Sequence, residues 1–171
     1  FYSLRSLEMQ GATMRLDKLD KRILQELQRN GAITNLELAE KIGLSPSPCA
    51  RRVKQLQDSG IIKHQVTLLD ASKLELKLIA LIQISMDRHT PDRFEIFEEK
   101  VRSFPEVTEC LLITGQSADY QLKVFVPDME YYQEFLLNKI TKIEGVTDVH
   151  SSFILREVLS TTELPLTHIQ S

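Results

Sequence analysis

The sequence predicts an α+β chain in two parts: a short all-helical unit, then a domain with the element order β-α-β-β-α-β. Three observations carry this. Apolar residues recur at helical spacing in the first third and at strand and helix spacing in turn after it. The charge is split: residues 15–64 hold ten Lys/Arg against six Asp/Glu, a net of +4, while residues 65–171 hold ten against seventeen, a net of −7. Finally, Asp70-Ala71-Ser72 reads as a connector between the two regimes. The expected boundaries are 15–64 for the helical unit, 65–76 for a linker strand region, 77–160 for the sheet domain and 161–171 for a tail.

In the first part, Leu16, Leu19, Ile23 and Leu27 share one helix face, and Asn30-Gly31 ends that helix. Thr34 with Glu37 three residues on makes a capping box. It opens a short helix burying Leu38, Ala39 and Ile42, stopped by Gly43. The next stretch, Ser45-Pro46-Ser47-Pro48, carries two prolines ahead of an amphipathic run. With Ser45 as N-cap the prolines fall at the first and third helical positions, where a missing N–H costs nothing. Ser47 is the alternative cap, because a residue before proline avoids helical angles. Cys49, Val53 and Leu56 form the inner stripe of this third helix, and Asp58-Ser59-Gly60 ends it. Three short helices with a Gly-containing turn between the last two read as a helix-turn-helix unit.

Residues 61–69 are β-like. In the second part, residues 77–86 form a strand with Leu78, Ala80, Ile82 and Ile84 on one face and Ile79 and Leu81 on the other. Thr90-Pro91 starts a helix with Phe94, Phe97, Val101 and Phe104 in phase. Strands follow at 107–113 and 119–126. Asp128 caps a second helix expected to bury Met129, Tyr132, Leu136 and Ile140, and the last strand covers 146–155. This order is the ferredoxin-like arrangement, with both helices on one face of an antiparallel sheet. Ile79 and Leu81 make the other face partly apolar, so a second copy packing sheet on sheet is expected.

Composition is that of a globular chain, and the net charge of −3 alone argues against a nucleic-acid binder; the cationic first part reverses that reading. No run of about eighteen apolar residues occurs, so no membrane partner is expected. Cys49 and Cys110 stand in no metal or redox spacing, which fits a cytoplasmic protein. Residues 1–14 read as an expression remnant, with Met14 as the expected native start. An enzyme is not expected. The histidines at 64, 89, 150 and 168 are scattered, and Cys110 with His150 is the sole imaginable pair.

The segments LDKLDKRILQELQRNG (16–31), LAEKIGLSPSPCARRVKQLQDSGII (38–62), FPEVTECLLITGQSADYQLKVFVPDMEYY (104–132) and EGVTDV (144–149) occur in an order that resembles the Lrp/AsnC (feast/famine) transcription regulators. The resemblance covers residues 15–160. It implies a DNA-binding regulator that answers to a free amino acid, assembling as dimers and then tetramers or octamers. A ligand-independent DNA-packaging protein of the same fold is the alternative.

For DNA, the candidates are Thr34, Ser45, Ser47, Arg51, Arg52 and Lys54. The start of a recognition helix enters the major groove of double-stranded DNA. Serine hydroxyls there can donate to phosphates or base edges, and cations neutralise phosphates. The family pattern also allows Arg52 to pin the helix to its own domain. For the effector, the resemblance points to the loop carrying Gly115, Gln116, Ser117, Asp119 and Tyr120, with Ser151 and Ser152 on the last strand. Asp119 would accept from an ammonium group, and N–H groups around Gly115 would meet a carboxylate. From residue types alone the loop is equally a hairpin turn. No further charged side chain is an evident reader, so an apolar amino acid, leucine or methionine, is expected, and no cofactor.

Overall fold

A computed structural model describes residues 15–115 and 118–169. The expected remnant at 1–14 lies outside them. The chain forms two units: one runs up to Leu68 and regains the chain from Leu159 onward, and the other is Leu69–Val158.

The first unit holds α1 (Lys18–Arg29), α2 (Asn35–Ile42) and α3 (Pro46–Asp58). Each start is set by a local device. Asp17 and Asp20 form a capping box on α1, and Thr34 and Glu37 form the anticipated one on α2. Gly43 ends α2 at φ 80°, a left-handed conformation that a side chain would strain. Ile23, Leu38, Ala39, Ile42, Cys49 and Leu56 are buried in one core. Burial raises the Cys49 thiol above its ordinary range, so the residue acts as a small apolar filler.

The tail is part of this unit. Leu166 and Ile169 pack on its core. The Gln28 amide donates to Leu164 O (3.2 Å) and accepts from Leu164 N (2.6 Å), and Lys21 donates to Ile169 O. A chain ending at Ser160 is expected to lose about 1–2 kcal/mol from this unit. The lost burial and bonds outweigh the regained freedom of the tail. Thermal melts should show a drop of roughly 5–10 °C; an unchanged melt would mean that the tail is only loosely docked.

The second unit is a four-stranded antiparallel sheet, ordered β2-β3-β1-β4. Its elements are β1 (Leu78–Met86), α4 (Pro91–Arg102), β2 (Val107–Leu112), β3 (Tyr120–Val126), α5 (Met129–Asn138) and β4 (Val146–Phe153). Ala80, Ile82 and Ile84 of β1 and Leu122, Val124 and Val126 of β3 are fully buried with Phe97, Val101 and Phe135 of the helices. The alternation along β1 is as expected. After β3, Tyr132 and Ile140 are buried and Leu136 packs on the core as expected, but Met129 is 52% exposed and Phe135 is buried as well. Asp128 does cap α5, accepting from Tyr131 N at 2.8 Å. Residues 63–70 form no strand within the chain. They lack a ladder partner here, and Val66, Leu68 and Leu69 stay exposed.

Candidate nucleic-acid interface and effector loop

The prolines that open α3 decide what Ser45 can do. Ser45 is the N-cap, with Pro46 at the first helical position. A cap hydroxyl normally accepts from the second or third N–H of its helix. The third residue is Pro48, which has none; Ser47 at the second keeps its N–H, but Ser45 makes no side-chain cap bond to it either. Its exposed hydroxyl is left for an outside group. Ser47, Arg51 and Lys54 follow at i, i+4 and i+7, so they share one face. All three are exposed, and Arg51 and Lys54 form no salt bridge among the described residues.

Arg52 departs from this set. Its Nη1 donates to Asp20 Oδ1 at 2.7 Å and Asp17 Oδ2 at 2.8 Å. Asp20 is 2% exposed. Arg52 thus ties α3 to the start of α1 and is withdrawn from the DNA candidates. Bonds from Asp20 and Asp17, outweighing desolvation, raise the Arg52 guanidinium further. Thr34 is likewise engaged: its hydroxyl donates to Glu37 Oε2 (2.7 Å) within the capping box, although it stays exposed.

Two further contacts set the turn, and sequence reading missed both. Arg22 of α1 donates to Ile42 O (3.0 Å) and Lys41 O (2.8 Å), satisfying carbonyls at the end of α2. Asn35 Nδ2 donates to Pro46 O at 2.9 Å, joining the starts of α2 and α3. Both depend on tertiary proximity, which local periodicity does not encode.

In the second unit, Gln116 and Ser117 lie outside the described residues. Gly115 is exposed, and a Cβ built on it would meet nothing within 4 Å among the described residues. Its φ is not in the left-handed range. Neither backbone strain nor packing therefore demands glycine there. Asp119 immediately precedes β3 and lies beside the end of β1. Its Oδ2 accepts from Met86 N at 2.7 Å, and its Oδ1 lies 2.8 Å from His89 Nε2. The carboxylate thus closes the strand end and keeps a partly exposed edge.

Tyr120 is a correction. It is 1% exposed, turned to the helix side, and donates to Glu98 Oε1 at 2.9 Å. It stacks edge-on with Phe94 and at 4.5 Å from Phe97, so it is core and does not line an open loop. Ser151 and Ser152 also separate. Ser151 bonds Tyr132 on the helix side, while Ser152, paired across from Leu81, faces the open side. β1 lies between β3 and β4, so two strand spacings, about 10 Å, separate these serines from β3, and they also stand several residues along the strand from the β3 end that carries Asp119. Among the described residues, one chain does not bring the effector candidates into a single cluster. Cys110 and His150 lie on opposite edge strands and form no dyad. Desolvation, then Glu98, raises the Cys110 thiol to about 11, although the residue as a whole keeps solvent exposure.

A helix-turn-helix with a free cationic face, followed by this sheet domain, defines a two-part DNA-binding regulator. Residues 16–63 match the family model for winged helix-turn-helix DNA-binding domains, and residues 79–164 match that for the Lrp/AsnC ligand binding domain. The leucine-responsive regulatory protein of Escherichia coli K12 is 38% identical over 149 residues, 87% of this chain and 90% of that protein. A Neisseria meningitidis transcriptional regulator solved in complex with L-Met is 46% identical, with a TM-score of 0.87 over 91% of this chain and 99% of that one. An Agrobacterium tumefaciens AsnC family regulator aligns at 38% identity and TM-score 0.85, over 91% of this chain and all of that one. The chain belongs to the Lrp/AsnC family of transcriptional regulators. That family is one of regulators, not enzymes. Among the described residues no helix is long and apolar enough to cross a membrane.

Proposed function

We propose that this regulator reads double-stranded DNA through Ser45, Ser47, Arg51 and Lys54, with Thr34 at the margin, and that a free apolar amino acid of the leucine or methionine type adjusts its binding. The observation that carries the effector is the L-Met complex of a relative this similar over nearly the whole chain. The relatives named leucine-responsive support the same class. Gly115 supports the place: its freedom from internal demands fits a backbone that an outside group approaches. The loop amides around Gly115, Gln116 and Ser117 would hold the carboxylate, and Asp119 would share its outer edge with the ammonium. A second copy covers Ile79, Leu81 and Phe125 on the open sheet face, and its own loop or Ser152 completes the site.

The test is a thermal melt against each common amino acid at millimolar concentration. A ligand at about a hundred times its Kd stabilises by ~2.7 kcal/mol, a shift of several degrees. Leucine or methionine is expected to raise the melt. Gly115→Val should leave the unliganded melt unchanged and abolish that rise. If no amino acid shifts the melt while DNA binding persists, the ligand-independent packaging role takes precedence. Sedimentation of the same samples reads assembly, and a single-chain mass would remove the dimer.

A further inference from the structure

The face that α3 turns outward is not uniformly polar. Ser47, Ala50, Arg51 and Lys54 stand at i, i+3, i+4 and i+7, so they share one side of the helix, and all of them are exposed. The other side carries Cys49 and Leu56, buried in the core of the helical unit, with Val53 packed against it. Within the exposed set, Ala50 is the member without a hydrogen-bonding group. The Pro46 ring, one turn before it and also exposed, extends this apolar strip toward the helix start.

Asp58 bounds the face. It lies one turn beyond Lys54 and is exposed, and DNA phosphates repel a carboxylate. Contact with DNA is therefore confined to the part of α3 before it. A helix that enters the major groove brings its N-terminal residues to the base edges. Ala50 stands among those residues, next to Arg51 and one turn after Ser47. A pose that uses these two brings the Ala50 methyl group into the groove with them.

An apolar group has one fitting partner there. Base edges in the major groove are donors and acceptors, and pressing a methyl group on them strips their water without replacing it. The exception is the C5-methyl group of thymine. We infer that Ala50 is a specificity-determining residue: its methyl group, flanked by the Pro46 ring, packs on the C5-methyl group of a thymine in the bound site. This rests on the reading of α3 as the DNA face and goes beyond it, because the serines and cations of that face recognise no methyl group. A side chain this short also lets the helix backbone come close to the base.

The full chain first selects its preferred duplex from a pool of randomised sequences. Each thymine of that duplex is then replaced in turn by deoxyuridine, which pairs identically and lacks only the methyl group. At one position the replacement should weaken binding about fourfold, the worth of one buried methyl group. Ala50→Gly should bind the thymine and deoxyuridine duplexes equally, with its folding checked by the melt. Ala50→Gln, a good helix former that puts an amide in place of the methyl group, should lose the preference too. Arg51→Ala should weaken both duplexes alike and keep the preference. If Arg51→Ala weakens neither, α3 is not the DNA face and both readings fall. If it weakens both while no thymine differs from deoxyuridine, the Ala50 inference alone is overturned. A preference that survives Ala50→Gly and Ala50→Gln overturns it as well, and so does a pool that yields no preferred duplex.

Discussion

Tyr120→Ala is expected to destabilise the sheet domain by about 4 kcal/mol, because it removes a large side chain from a packed core. That is a large part of the ~5–15 kcal/mol that holds a domain folded. The ring is 1% exposed and packs against two phenylalanines, so little relaxation can fill the space. Tyr120→Phe keeps the ring and loses the bond to Glu98, at about 1–2 kcal/mol. Urea titration followed by circular dichroism checks both, since the chain has no tryptophan. The loss should fall on the transition of Leu69–Val158 and spare that of the helical unit, which has its own core. Tyr120→Phe should also leave the amino-acid response intact. A Tyr120→Phe variant that folds with full stability yet loses that response would return Tyr120 to the effector site.

The position of Tyr120 was written in the strand pattern. Leu122, Val124 and Val126 face inward, and a period of two carries the same face back to residue 120. The same parity separates Ser151 from Ser152. Helix starts and stops were legible because their chemistry is local: Thr34 with Glu37, Gly43, Ser45 before Pro46, and Asp128 each act within one turn. The α5 stripe held at Tyr132, Leu136 and Ile140 and failed at Met129, because Met129 and Phe135 are both apolar and the pattern does not rank them. What stayed hidden depends on long-range pairing. The reach of Arg22 to the end of α2 spans 20 residues and that of Gln28 to Leu164 spans 136. Neither has a spacing signature.

Arg51 and Arg52 are neighbours in sequence and are expected to fail in opposite ways. Arg52→Ala strips Asp20 of its cation while Asp20 remains buried, and breaking such a pair costs about 3 kcal/mol. Part of Asp20 stays served by the Asp17 N–H at 3.0 Å, which puts the loss at the lower end of that class. The deficit should appear in the melt of the helical unit, with or without DNA. Asp17 sets the acid limb of the same junction. Its carboxyl lies below the usual 3.8, chiefly through the Asp20 N–H, with Arg52 also lowering it. A depressed carboxyl stabilises the fold above its unfolded value, and that contribution disappears as pH falls below about 3.8 and through the folded value. Removing Arg52 should therefore move acid unfolding to higher pH. Arg51→Ala touches none of this. Its side chain is exposed, so stability should change by less than about 0.5 kcal/mol. DNA affinity should fall instead, and the log–log salt slope should shrink by about one for each phosphate left without its cation. Measured side by side, melting and salt-dependent binding separate the residue that holds α3 in place from the one that α3 presents to DNA. If Arg52→Ala melts normally but loses salt-dependent affinity, the bond to Asp20 is not what holds that residue in solution. Arg52 would then rejoin Arg51 and Lys54 on the DNA face.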